Sequence, residues 1–385
     1  MSTYDRPVRR PAGLLSVEEI ADAIDRGEID TVLVVFPDLA GSWKGKRMTG
    51  HFFLDDTVHH GIEACNYLIA TDVEMNVLPG YRYANWEAGY GDMRCVPDLP
   101  TMRIVPWLEK TAMVICDIVD EHGAPVEVSP RQVLKRQLAR AAALGYTVKT
   151  GAELEFFLFR ESFEGAAAKG YRDLTPDSNT IQDYHILQTT KNEHLIRAIR
   201  NGMEGAGVPI ECSKGEAGFA QHEINLRYTE ALEMADRLSI YKNGAKEIAA
   251  LAGRAITFMA KYSMEDVGSS CHIHSSIWDT DTERSLVAGD GGPVGMSKTF
   301  SHYLAGNLAT AEEFSWLFAP TVNSYKRYQL GSWAPTAIAW APTTGPVAFA
   351  WWATVRACAW KHVFPVPTPI RTWPLPASWP VVCTE

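Results

Sequence analysis

The segment 151-GAELEFFLF-159 decides the fold, because acidic and large apolar residues alternate along it. Alternation with a period of two is typical of a β-strand, whose successive side chains point to opposite faces of the sheet. We therefore expect Glu153 and Glu155 on one face, roughly 7 Å apart, with Leu154 and Phe156 pointing into the core. Taken alone, the segment also fits a strand with one solvated face.

Two more segments place titratable side chains on expected strands. In KGEAGFAQHEINLRY, Glu216 and Glu223 are separated by a glycine-containing turn, and in GSSCHIHSSIW, His272 and His274 share one strand face. Each segment alone also fits a simpler interpretation, either a hairpin with two surface acids or a strand with hydrogen-bonded core histidines. Together the three segments supply four glutamates and a histidine, a ligand set that suits magnesium or manganese. Zinc would favour cysteine or more histidine.

Composition limits the possible classes of function. The 385 residues are 46% hydrophobic and 21% charged, as in ordinary globular proteins. A net charge of −10 argues against a nucleic-acid partner, because phosphate binding needs a basic surface. No run approaches the roughly 18 apolar residues that span a bilayer, and the N-terminus lacks the apolar core of a secretory signal. Seven scattered cysteines without a CxxC pair predict a reducing, cytoplasmic location, with no disulfide framework or zinc cluster.

The order of predicted elements divides the chain. After a polar tail at residues 1–14, a helix with a capping box begins at Ser16, and strands dominate the part up to residue 128, in TVLVVFPD, GSWKGKRMTG, CNYLIATDVEMN and TAMVICDIVD. Ser129 begins a second part in which helices and strands alternate, which predicts an α+β domain with mostly antiparallel strands. Its predicted helices are SPRQVLKRQLARAAALG, NEHLIRAIRNGMEGAG and EALEMADRLSIYKNGAKEIAALAG, and its strands include RAITFMAKY.

Six blocks occur in an order and spacing that resemble those of the glutamine synthetase family. They are AELEFFLF, KGEAGFAQHEINLRY, YKNGAKEIA, TFMAKY, SSCHIHSSIW and NSYKRYQLGSWAPTA. The resemblance covers about residues 15–341, and it implies an α+β fold with a small β-grasp N-terminal domain at 15–128 and a large catalytic domain from 129. It also implies stacked rings of subunits, with active sites between neighbours.

The resemblance implies a ligase that uses ATP and Mg²⁺ or Mn²⁺ to convert L-glutamate to γ-glutamyl phosphate, which an amine then attacks. By position, Glu155, Glu216 and Glu223 match the ligands of the first metal. Glu153 and His272 match two ligands of the second metal. Arg327, expected to be catalytic as well, and Gly268 match residues that bind glutamate. Tyr228 and Ser276 match residues that line the ATP site.

Three departures from the family bear on the amine. Cys65 or a neighbour stands where ammonia-using members carry an aspartate, Trp333 replaces the flap glutamate, and Val267 replaces an asparagine. The loss of two carboxylates removes partners of an ammonium ion and adds apolar surface, which favours an amine that carries carbon. We therefore expect ethanolamine or a polyamine as substrate. Ammonia, a non-catalytic relative and a guanidino kinase with the related catalytic fold are the alternatives, of which the last lacks support from the NSYKR block.

From Pro342 the sequence changes character. Residues 342–385 are rich in tryptophan and proline, and their only acid is Glu385. Proline at this density predicts neither helix nor central strand. Codons can be chosen for VPTPIRTWPLP so that the same bases, read one step over, spell ADANPYLAFA, which resembles the family's continuation. The hypothesis is a one-base frameshift near Pro342. It leaves the catalytic domain incomplete at 129–341 and predicts little or no activity for the chain as written.

Overall fold

The computed structural model describes residues 11–87, 89–329, 332–335 and 337–341, and the backbone of residues 349–354 and 357–362. Its strands form two sheets, one from the N-terminal part and one from the rest of the chain. Among the described residues, no helix is long and apolar enough to cross a membrane.

The N-terminal part contains one sheet and short helices. Its strands are β1 (Thr31–Pro37), β2 (Trp43–Thr49), β3 (Ile62–Cys65), β4 (Asp92–Pro97), β5 (Arg103–Ile104) and β6 (Thr111–Val119). Its helices are α1 (Val17–Asp25), α2 (Gly50–Phe52) and α3 (Val58–His60), with single turns at Phe53–Thr57, Asn66–Ile69 and Leu99–Thr101. The strand order is β2-β1-β6-β4-β3, with β5 beside β6, and only the β1–β6 pair is parallel among these described pairs.

Strand β1 is buried on both faces. Val32, Val34 and Phe36 belong to the core beneath α1, whereas Leu33 and Val35 pack into the core of the second part. The N-terminal sheet therefore lies between its own helix and the larger domain.

The second part contains a larger mixed layer of helices and strands. Its helices are α4 (Pro130–Ala143), α5 (Phe163–Ala168), α6 (Ile186–Thr190), α7 (Glu193–Gly205), α8 (Ala231–Leu251), α9 (Lys298–Thr310), α10 (Ser315–Phe318) and α11 (Val322–Tyr325). Its strands are β7 (Tyr146–Phe159), β8 (Ile210–Gly215), β9 (Gln221–Glu230), β10 (Ala255–Thr257), β11 (Cys271–Asp279), β12 (Trp340–Ala341), β13 (Phe349–Thr354) and β14 (Ala357–His362), with a 3-10 turn at Pro293–Gly295. The order is β12-β13-β14-β11-β7-β9-β8, and β10 pairs with β7.

Strand β7 lies between β11 and β9 in this sheet and confirms the alternation predicted from its sequence. Leu154 and Phe156 are buried in a core that also contains residues of α7 and α8. The intervening Glu153 and Glu155 therefore point to the opposite face.

The structure confirms the four predicted long helices, including the capping box between Ser16 and Glu19. Two strand predictions, and the expectation that the C-terminal segment forms no central strand, need correction. In CNYLIATDVEMN only Cys65 belongs to a strand, and the rest forms a 3-10 turn and a loop, in which Asp72 accepts hydrogen bonds from the backbone N–H groups of Glu74 and Asn76. RAITFMAKY is a strand only at Ala255–Thr257, since the Lys261 N–H is bonded to the side chain of Asn323.

The third correction concerns the C-terminal segment. Residues 349–354 and 357–362 form strands, and β14 pairs with β11. The proline argument does not apply there, because the sequence has no proline between Pro346 and Pro365.

An ion-pair cluster joins the two parts of the chain. Arg131 donates from Nε and Nη2 to Asp236 at 2.9 and 2.8 Å, and from Nη1 to Asp117 at 2.7 Å. Its Nη2 also donates to Asp98 at 2.9 Å, and Lys135 contacts both Asp98 and Asp117. We call these five residues the junction cluster. Burial raises the pKa of Asp236, and the guanidinium of Arg131 opposes that rise.

Candidate active site

An open cavity of about 740 Å³ lies on the polar face of the second sheet. Eight of the residues predicted from the sequence line it: Glu153, Glu155, Glu216, Glu223, Gly268, His272, Arg327 and Trp333. They come from the three strands β7, β9 and β11 and from the loops that follow β8, β10 and α11. The pairing of the strands brings together carboxylates that are far apart in the sequence.

Three glutamates form the first group in this cavity, which we call the glutamate triad: Glu155, Glu216 and Glu223. One carboxylate oxygen from each lies within 4.8 Å of the others. Glu155 faces Glu223 directly in the β7–β9 register, and Glu216 follows the last residue of β8. The β7–β9 register therefore aligns the first two side chains, and the β8–β9 hairpin brings the third beside them.

Glu155 is held in place by hydrogen bonds. Its Oε2 accepts from Gln221 Nε2 at 3.0 Å and from the Ser270 backbone N–H at 2.9 Å, while its Oε1 accepts from Ser270 Oγ at 2.5 Å. Gln221 Nε2 also lies 3.1 Å from the carbonyl oxygen of Gly268. The neighbours thus fix the direction of this carboxylate before any ligand binds.

A second group shares Glu223 with the triad. Ligand atoms of Glu153, Glu223 and His272 lie within 4.8 Å of one another. His272 faces Glu153 in the β7–β11 register, and its Nδ1 lies 3.1 Å from Glu153 and 3.6 Å from Glu223. His274 Nε2 lies 2.9 Å from the other oxygen of Glu153.

Two neighbouring side chains of the cavity, Glu216 and Lys214, have shifted pKa values. Burial raises the pKa of Glu216 to about 7, the nearby charge of Glu155 adds to the rise, and Lys214 opposes it. Lys214 Nζ contacts Glu216 directly. Burial lowers the pKa of Lys214, but its hydrogen bond and charge interaction with Glu216 outweigh that effect, so the pKa is raised overall.

The two groups suit hard divalent cations. Their donors are carboxylate oxygens with one imidazole, which is the donor set of magnesium and manganese sites. Opposite oxygen ligands of one Mg²⁺ lie about 4 Å apart, so only small shifts of these side chains would be needed.

Arg327 reaches the cavity past Gly268. A Cβ atom at Gly268 would lie 2.7 Å from Arg327 Cγ and 2.6 Å from the Ala260 carbonyl oxygen, so this close approach requires glycine. The Nε of Arg327 is buried and has no hydrogen-bond partner in the part of the chain that the structure describes. A guanidinium in such a position is suited to bind a carboxylate or a phosphate.

The residues that depart from the family occupy different places. Trp333 lies at the cavity rim, is 79% exposed and adopts a positive φ of 62°. Val267 also lines the cavity. Cys65 ends strand β3 in the other sheet and does not line this cavity.

Tyr228 and Ser276, predicted to line an ATP site, lie outside the cavity lining. Ser276 Oγ accepts from Trp278 Nε1 at 2.9 Å, and Tyr228 is half-exposed beside Gly151. Both lie beyond His274 along the sheet, near the strand segment that precedes Glu153.

Sequence reasoning gave no role to several residues of the site. Gln221 and Ser270 bond Glu155, and Lys214 and Asp183 also line the cavity. The even spacing between His272 and His274 was a signal for the second histidine. The positions of Gln221, Lys214 and Asp183 follow from pairing in three dimensions and carry no local pattern.

The family model of the glutamine synthetase catalytic domain matches residues 127–344 of this chain. Among curated proteins, the γ-glutamylethanolamide synthetase GlnA4 of Streptomyces coelicolor is 49% identical over 334 residues, which are 87% of this chain and 71% of the relative. Glutamate–isopropylamine ligase of a Pseudomonas species is 36% identical over 322 residues, or 84% and 70% of the two chains.

Solved structures show the same fold. The structure of GmaS without ligand has a TM-score of 0.74 at 26% identity and covers 90% of this chain and 75% of that one. A GmaS complex with ADP gives the same score and identity, with coverages of 90% and 76%. The α+β fold expected from the sequence is therefore confirmed.

Proposed function

Because this chain belongs to the glutamine synthetase family, we propose that, with the reading frame restored near Pro342, it is an ATP-dependent ligase that joins L-glutamate to an organic amine. The observation that carries the proposal is that two compact glutamate groups and the guanidinium of Arg327 line one cavity. This is the set of groups needed to bind metal-bound phosphates and an amino-acid carboxylate.

The glutamate triad is proposed to bind one Mg²⁺ or Mn²⁺, and Glu153 and His272 to bind a second together with Glu223. Bound cations neutralise the charge that develops on a phosphoryl group during its transfer. The contribution of the chain is positioning. Gln221 and Ser270 fix the Glu155 carboxylate, so that it would hold a bound metal ion in one position.

Arg327 and Gly268 are proposed to bind glutamate. The unpartnered Nε of Arg327 can donate to a carboxylate, and the lack of a side chain at Gly268 keeps the guanidinium in the cavity. Tyr228 and Ser276 are proposed to bind ATP on the adjoining part of the sheet face.

An organic amine is favoured over ammonia. Trp333 and Val267 give the cavity apolar surface where a carbon chain can lose contact with water. The names of two relatives, a γ-glutamylethanolamide synthetase and a glutamate–isopropylamine ligase, agree with this preference and point to a monoamine. Cys65 is proposed to reach the site of a neighbouring subunit in a ring-shaped oligomer. The protein is proposed to be cytoplasmic.

The frameshift near Pro342 remains part of the proposal. The match to the family ends at residue 344, close to the position at which the reading frame is proposed to change. The catalytic segment that should follow is then missing, and the 385-residue chain is expected to have little activity.

An amine panel tests the proposal. The 385-residue chain and a version with the frame restored near codon 342 are incubated with glutamate, ATP, Mg²⁺ and ethanolamine, isopropylamine, putrescine or ammonia, and products are identified by mass. We expect a γ-glutamyl monoamide from the restored chain and little from the other. Glutamine as the main product would contradict the organic amine, equal activity of both chains would contradict the frameshift, and no amine-dependent ADP release from the restored chain would favour a non-catalytic protein.

A further inference from the structure

We propose that Lys214 is a counter-ion with two binding positions, one on Glu216 in the metal-free protein and one on Asp183 when a divalent cation occupies the glutamate triad. The inference rests on the metal site proposed above and adds to it a residue that sets the affinity for metal.

The first position is the direct contact with the triad. Lys214 lies on β8 opposite Glu223 in the β8–β9 register, and its Nζ contacts Glu216 Oε1. Both side chains are largely buried, with 19% of the lysine and 15% of the glutamate exposed. A divalent cation needs the same carboxylate, so lysine and metal compete for it.

The second position lies outside the triad and is already within reach. Lys214 Nζ is 3.5 Å from Asp183 Oδ1, 3.3 Å from the carbonyl oxygen of Gly215 and 4.3 Å from the centre of the Tyr184 ring. When a metal binds Glu216, the ammonium group can keep a carboxylate, a carbonyl and an aromatic face as partners. Displacement of Lys214 therefore does not leave a buried charge without a partner. Such an unpaired charge would be costly.

Titration of the metal-free full chain with Mn²⁺ alone tests the first position. Lys214→Met keeps the bulk of the side chain and removes the competing charge, so the Kd for Mn²⁺ should fall about tenfold. Lys214→Arg keeps a cation and should bind Mn²⁺ nearly as the parent does. The matched control is Lys169→Met, which removes an ion pair with Glu161 away from the cavity and should leave the Kd unchanged. An unchanged or higher Kd in Lys214→Met overturns the proposal.

A double-mutant cycle tests the second position. Asp183→Asn should raise the Kd about threefold, because the lysine loses its alternative partner, and the same change in a Lys214→Met background should have no effect. An Asp183 effect of equal size in both backgrounds overturns the proposal. If Lys214→Met does not fold, Asp183→Asn decides alone, and an unchanged or lower Kd contradicts the two-position scheme.

Glu216→Gln separates this inference from the proposed function. If the parent does not bind Mn²⁺, or if Glu216→Gln binds it equally well, the metal site itself is wrong and the role of Lys214 fails with it. If Glu216→Gln weakens binding while Lys214→Met does not change it, only the role of Lys214 is wrong.

Discussion

The junction cluster and the glutamate triad are both groups of carboxylates, and they are neutralised in different ways. In the junction cluster, Arg131 and Lys135 occupy the space between three aspartates, and Arg131 is only 4% exposed. The triad and Glu153 border an open cavity, where Lys214, His272 and His274 contact them.

The difference distinguishes acids that stabilise the fold from acids that are proposed to bind a metal ion. In a cluster whose cations come from the chain, the carboxylates already have partners, and removal of one partner leaves a buried charge. An open cluster with more acids than cations gains from an ion taken up from solution. Four predictions test this distinction, in order from the largest expected effect to the smallest.

Arg131→Met should lower the free energy of unfolding by about 3–5 kcal/mol, because Asp236 is left buried without its partner. Urea unfolding measures the change. The control is Arg136→Met on the same helix, where the arginine is half-exposed and 4.0 Å from Glu127, and a change within about 0.5 kcal/mol is expected. Equal effects of the two substitutions would mean that the cluster does not stabilise the junction.

Glu223→Gln should weaken Mn²⁺ binding at least about 100-fold, because this residue belongs to both ligand groups. The far-UV circular dichroism should not change. Glu230→Gln, at the exposed end of the same strand, should bind Mn²⁺ as the parent does. Retained binding in Glu223→Gln would place the metal elsewhere.

The loss of folding stability at low pH should come from His222, which lies beneath the open cluster, rather than from the carboxylates of the cluster itself. Burial lowers the pKa of His222 from 6.5 to about 4, so the folded protein holds it neutral, bonded to Asn192 and stacked on Phe156. Its contribution is present above pH 6.5 and is lost as the pH falls toward 4, by about 2 kcal/mol between pH 7 and pH 5.

Urea unfolding at both pH values checks this. His222→Gln should lose about 2 kcal/mol less than the parent over that interval. The control is His194→Gln, at an exposed position on α7, and it should follow the parent. Identical pH profiles of parent and His222→Gln would contradict the assignment to His222.

Gly268→Ala should weaken glutamate binding about tenfold, or about 1.4 kcal/mol, because the new Cβ atom displaces Arg327. Mn²⁺ binding should stay unchanged, which separates the guanidinium from the triad. Calorimetry with glutamate measures the Kd. The control is Gly165→Ala, where a Cβ atom meets its neighbours at 3.6 Å, and unchanged affinity in Gly268→Ala would exclude Arg327 from the glutamate site.

Local patterns predicted the parts of this molecule that depend on local physics. The alternation in β7 was enough to assign Leu154 and Phe156 to the core, and the capping signals at Ser16 and Ser129 located two helix starts. The serine at 129 is at the expected position, although its side chain makes no capping bond. The family resemblance then brought distant glutamates into one expected site.

Contacts between distant segments could not be predicted in the same way. Nothing near Arg131 in the sequence indicates that it bonds three aspartates from three elements. The loop at CNYLIATDVEMN has apolar residues with the spacing of a strand, but the side chain of Asp72 takes up the backbone N–H groups. Alternation describes one strand, whereas the choice of partners depends on the whole fold.

The two buried faces of β1 have a consequence for synthesis on the ribosome. The face with Leu33 and Val35 is covered by residues of α8, which ends at Leu251. At about 5–20 residues per second, roughly 7 to 26 seconds pass between the completion of β6 at Val119 and the completion of α8 at Leu251. During this interval the nascent chain presents an apolar surface to the solvent, and chaperones that bind such surfaces are expected to act on it before the second part of the chain is complete.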